Sequence, residues 1–73
     1  MGICVDEFGH ILVCDKGNNR VVLLDREAKY LTTLVEGEEN IKGPNGICID
    51  EAGNLNVIQE SGRVRTFKYY EKK

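Results

Sequence analysis

Seventy-three residues with a formal net charge of −2, 41% hydrophobic and 30% charged, allow one small domain at most. The apolar runs are too short for a spanning helix, which needs about 20 consecutive apolar residues, and no basic-then-apolar leader opens the chain. The small negative charge argues against a dedicated polyanion binder, which leaves a soluble fold or a piece of one.

Ile3-Cys4-Val5 predicts a first short strand, closed by Asp6-Glu7-Phe8-Gly9, where Gly9 can supply the positive φ of a tight turn. Ile11-Leu12-Val13-Cys14 is a second strand. Lys16-Gly17-Asn18-Asn19 follows as a turn dense in residues that tolerate left-handed backbone. Val21-Val22-Leu23-Leu24 and Tyr30-Leu31-Thr32-Thr33-Leu34-Val35 complete a set of four. Uninterrupted apolar runs, rather than in/out alternation, predict sheets covered on both faces. Residues 36–45 read as a connection, with Pro44 just ahead of the next strand, where its missing N–H costs little.

The chain then repeats itself. Gly2-Ile3-Cys4-Val5-Asp6-Glu7-Phe8-Gly9 returns as Gly46-Ile47-Cys48-Ile49-Asp50-Glu51-Ala52-Gly53, with six of the eight positions identical. One deletion then brings Asn19-Arg20-Val21 over Gly62-Arg63-Val64. Four short antiparallel strands per unit, at a period in the forties, describe a β-propeller blade. The predicted class is all-β, with one full four-stranded blade and three strands of a second. Residues 1–35 form the first blade, 36–45 the inter-blade loop, 46–70 the incomplete second blade and 71–73 a charged tail. Fewer than two complete blades cannot enclose a channel, so a piece of a larger propeller is expected.

The residues from Gly2 to Val21, above all Asp15-x-Gly17-Asn18-x-Arg20-Val21, resemble the NHL repeat. The second copy is similar but degraded, with Gln59 in place of the aspartate and Ser61 in place of the glycine. The stretch from Asn40 to Tyr69 is similar to the C-terminal end of tripartite-motif (TRIM) proteins that carry NHL propellers. That resemblance implies a six-bladed propeller behind RING, B-box and coiled-coil regions, with protein or RNA partners. It also implies that the outer strand of a last blade comes from elsewhere in the propeller. None of those N-terminal parts lies in this sequence, so ligase chemistry is not assigned to it; substrate recognition for a TRIM-type ubiquitin ligase is the finer expectation.

Asp15 and Arg20 flank the second turn at hairpin spacing, close enough for a charge-assisted hydrogen bond. With Gly17, Asn18 and the equivalent Arg63 they form an expected structural clamp. Gln59 would accept from Arg63 without charge, which should leave the second hairpin looser. His10 occupies the turn position filled by Asn54 and reads as solvent-facing. The paired acids Asp6-Glu7 and Asp50-Glu51 recur at equivalent turns, which points to turn architecture rather than acid/base work. Cys4, Cys14 and Cys48 are odd in number and lack close pairing, so they read as small buried apolar residues of a reducing, cytoplasmic compartment rather than as disulfide or zinc ligands. The reading assigns no catalytic residue, no metal and no cofactor.

Propellers present loops from successive blades on a common rim. Here the expected rim carries Lys16, Asn19, Lys42 and Glu60, with Glu38 and Glu39 from the connection. Lys16 and Lys42 stand against Glu36, Glu38, Glu39 and Glu60, which lacks the clustered cations that counterion release requires. A protein partner is therefore expected, and no membrane. The alternative is single-stranded RNA on the C-terminal stretch, where Arg65 and Lys68 interleave with Phe67 and Tyr69. Two stacked sheets with uncovered outer faces, and an open edge at residues 63–70, also predict self-association of the chain on its own.

Overall fold

A computed structural model describes residues 2–36 and 41–69. The first antiparallel sheet comprises β1 (Ile3–Val5), β2 (Ile11–Asp15), β3 (Arg20–Leu24) and β4 (Tyr30–Glu36), hydrogen-bonded in chain order. The second comprises β5 (Pro44–Ile49), β6 (Asn54–Gln59) and β7 (Val64–Lys68), again in order. Four antiparallel strands and then three are the arrangement expected of one full propeller blade and three strands of a second.

Local chemistry decides each reversal. Asp6 Oδ1 accepts from the N–H groups of Phe8 at 2.8 Å and His10 at 2.9 Å, replacing backbone partners inside the turn. Asp25 does the same for Glu27 and Lys29 at 2.8 and 2.9 Å, and Asp50 for Ala52 and Asn54 at 3.0 and 2.9 Å. Each of these turns then needs left-handed backbone at its fourth residue. Gly9 and Gly53 supply it at φ 91° and 88°, whereas the β3–β4 turn places Ala28 there at φ 68°.

Burial follows a period of two. On β2 it is Leu12 and Cys14 that are buried, and on β6 Leu55, Val57 and Gln59. Those faces meet, and with Val21, Val35, Ile41, Ile47 and Tyr69 they form one core between the sheets. The coverage of both faces read from the apolar runs is not met within one chain: as two stacked sheets require, each is covered on one face and open on the other. Ile3 at 58% exposure and Val64 at 53% lie on the uncovered sides. Cys14 is buried and Cys4 half-buried, but Cys48 is exposed, contrary to the reading of three buried cysteines, because it alternates to the outer side of β5.

The sheets approach closest at their inner strands. A Cβ on Gly2 would sit 2.9 Å from the Asn45 carbonyl oxygen, the Cys14 sulfur and the Gly46 Cα, so only glycine fits. Pro44 is the first residue of β5 rather than lying ahead of it. It pairs with Gln59, and a register irregularity before Gly46 accommodates it at the strand start.

Ala28→Gly is expected to stabilise the chain by roughly 0.5–1 kcal/mol, since left-handed backbone is strained for alanine and the gain is partly offset by a more flexible unfolded chain. Urea unfolding monitored by circular dichroism measures the shift in midpoint.

Candidate functional site

The seam between the sheets opens at both ends into clefts of about 370 Å³ each. One is lined by Cys14, Asp15, Lys16, Gly17, Pro44 and Asn45, so that of the rim residues expected from sequence Lys16 lies on its wall. A short 3-10 turn, Lys16–Asn18, carries Lys16 and Gly17 and ends on Asn19 in left-handed backbone. Asp15 Oδ2 accepts from Arg20 Nε at 2.8 Å and from Asn18 Nδ2 at 3.0 Å. Those two bonds, Asn18 first and Arg20 second, hold the Asp15 carboxyl below the usual range. Gly17 is exposed with open space around its α-carbon.

The same rim ties the two blades together. Lys16 Nζ lies 3.0 Å from Glu60 Oε2 across the seam. The Gly43 N–H donates to Asn19 Oδ1 at 2.8 Å, and the Glu60 N–H to the Gly43 carbonyl at 2.8 Å. Gln59 differs from the expectation that it would accept from Arg63. Its side chain is buried, and Oε1 accepts from the Lys42 N–H at 2.7 Å, so it binds the connection rather than its own hairpin. Its contact with Arg63 is through backbone, Gln59 N–H to the Arg63 carbonyl at 2.8 Å. Arg63 is exposed, and its own N–H donates to Ser61 Oγ at 3.3 Å. Glu38 and Glu39 lie outside the described residues.

The opposite cleft was not singled out from sequence. Its walls include Val5, Asp6, Phe8, Ile49, Asp50 and Tyr69. Asp6 Oδ2 accepts from the Tyr69 hydroxyl at 2.8 Å and lies 2.9 Å from His10 Nδ1. His10 is therefore a half-buried turn partner and not the solvent-facing side chain expected. Burial would raise the Asp6 carboxyl, but the bonds from His10, Tyr69 and Phe8 outweigh it and hold it below the ordinary range. Burial first, and then the Asp6 bond, push the Tyr69 phenol far up. The signal available in the sequence was the recurrence of the aspartate; nothing local marked Tyr69 as its partner.

The proposed RNA contacts separate in the structure. Tyr69 is 8% exposed with its hydroxyl committed to Asp6, and Phe67 packs against the core. Arg65 lies over the Phe67 ring, 5.6 Å from its centroid, and Lys68 is exposed. The four residues therefore do not form a shared stacking surface.

Residues 2–22 match the family model of the NHL repeat. Over 31 residues the chain is 42% identical to Protein lin-41 of Caenorhabditis elegans, a match covering 42% of this chain and 3% of that protein. The matched stretch thus spans a small part of its relative's length.

Arg20→Ala is expected to lower the unfolding midpoint more than Arg63→Ala, because Arg20 has a carboxylate partner across its hairpin; paired thermal melts compare them. Tyr69→Phe should destabilise by about 1.5–3 kcal/mol, the usual contribution of a hydrogen bond to a charged group. Since the Asp6 carboxyl is lowered on folding, its contribution is present above the unfolded value of 3.8 and lost as pH falls through the folded one. Acid unfolding should therefore steepen below about pH 4, and less so in Asp6→Asn, as fluorescence-monitored pH titration would show.

Proposed function

We propose that this NHL repeat chain, resembling the propellers of tripartite-motif proteins, is a non-enzymatic recognition module that binds a protein through its blade rims. The observation that carries this reading is the Lys16–Glu60 ion pair at 3.0 Å, which neutralises a rim cation at the mouth of a cleft. Nucleic-acid surfaces need several cations free to displace counterions. At the opposite mouth Asp6, Glu7, Asp50 and Glu51 line the cleft, a set that favours basic over phosphate-bearing partners. The rim is also held by side-chain bonds to backbone N–H groups, Asn19 to Gly43 across the seam and Gln59 to Lys42 beside it, so it offers a preformed surface, which reduces the ordering cost of binding.

On this reading the module would select substrates for a TRIM-type ubiquitin ligase, the catalytic parts lying in other domains. The resemblance to NHL propellers supports that role, and it fits a site made of turn-forming acids rather than a nucleophile with its base.

Binding to mixed-sequence single-stranded RNA at two salt concentrations tests the partner class. Weak, sequence-indifferent association is expected. Micromolar affinity with a steep salt slope, abolished by Arg65→Glu with Lys68→Glu while the fold is retained, would overturn the reading in favour of RNA.

A further inference from the structure

The two repeats contain equivalent residues in opposite states of burial. Strand pairing fixes the equivalence: Ile11 faces Leu24 in the first sheet as Leu55 faces Phe67 in the second. Ile47 and Val57 on the second sheet are 8% and 0% exposed because they pack on the first. Their counterparts in the first sheet are Ile3 and Val13, and Ile3 is 58% exposed, with Val5 beside it at 62%. The converse holds on the other faces. Cys14 and Val21 of the first sheet are 3% and 0% exposed, whereas their counterparts Ile58 and Val64 are 40% and 53% exposed.

The internal seam is thus heterologous, the front of one blade on the back of the next. The chain exposes one further back, on the first sheet, and one further front, on the second. Two complementary faces on one molecule can meet only between molecules.

We infer that the chain associates head to tail with a second copy of itself, the Ile58 and Val64 face of one packing on the Ile3 and Val5 face of the next. Charge supports this occupant at both rims. Inside the chain Lys16 pairs with Glu60, its own counterpart in the second repeat. The repeated contact places Glu60 against Lys16 of the next copy, so that signs alternate along the stack. At the opposite rim Asp6 meets Tyr69, and the position equivalent to Tyr69 is Arg26. The repeated contact therefore sets Asp50, the equivalent of Asp6, against Arg26 of the next copy. Arg26 is exposed, its closest hydrogen bond a long one of 3.4 Å to the Phe8 carbonyl.

The new seam is more polar than the internal one. Asn56 and Thr66 stand where the first repeat has Leu12 and Leu23, and Thr66 Oγ1 donates to Asn56 Oδ1 at 2.7 Å. With that pair satisfied internally, the contact is tolerated but weaker than the seam inside the chain, and hence reversible.

Light scattering behind size exclusion, over a concentration series of the 73-residue chain, tests this. A mass above one chain is expected, converging on a fixed multiple if the rotation closes and growing with concentration if it does not. Ile3→Lys blocks the back and Val64→Lys the front; each side chain is more than half exposed within one copy, so each variant should fold. Each alone should weaken association by at least roughly tenfold, because a lysine would be buried unpaired. Mixed, the intact front of the first and the intact back of the second should give a one-to-one dimer. A monomeric wild type at every concentration would overturn the inference. So would a mixture that stays monomeric, or association lost in only one variant, which would indicate a symmetric contact. Circular dichroism and amide exchange verify each fold, and Val5→Lys with Ile58→Lys repeat the test on neighbouring positions of the same faces.

Discussion

The backbone contact at Gly2 governs how the sheets meet. With any side chain at that position, a carbonyl, a sulfur and another backbone carbon would all be approached to 2.9 Å. Its own carbonyl accepts from the Cys14 N–H at 2.9 Å, so the same residue extends the β1–β2 pairing while touching the second sheet. Inner strands can therefore lie against each other almost without side chains, and the larger residues Leu12, Leu55 and Ile41 fill the space farther out. Distance across the seam is set by the smallest residue at one edge and the largest residues beyond it.

From that spacing the rims follow. Asn19 and Lys16 reach across at one end and Tyr69 reaches Asp6 at the other, each at hydrogen-bonding distance. Side chains that would be solvated turn residues in a single hairpin become fasteners between blades. The polar groups closing the ends leave no buried side-chain nitrogen or oxygen among the described residues without a partner. A seam that is apolar in the middle and bonded at both ends resists sliding, because register errors would leave those groups unpaired.

Strand order and turn positions were legible in the chain because they depend on local chemistry. Asp followed three residues later by a residue in left-handed backbone is visible as Asp6 with Gly9 and Asp50 with Gly53. The repeat made the blade architecture legible, and the clamp pair Asp15 and Arg20 is only five positions apart. What escaped was long-range. Tyr69 looked like a stacking contact for RNA, since its partner lies 63 residues away. Gln59 looked like a weakened clamp, since nothing nearby indicates that the connection will pass over it and need an acceptor. Which residues face inward also escaped, because an unbroken run such as Ile11 to Cys14 suits one covered face or two.

The hairpin turns also order events in time. Each links strands separated by only a few residues, so closing it involves little loop entropy, and isolated hairpins form in about 1–10 μs. The contact between Asp6 and Tyr69 closes nearly the whole chain into one loop. Folding of this protein should accordingly be divided between quick zipping inside each sheet and a slower docking of one sheet on the other. Until docking occurs, both apolar faces of each hairpin set are open to water and to neighbouring chains. The repeated aspartate turns thus shorten the search within a blade, and leave the vulnerable interval to the step that brings the blades together.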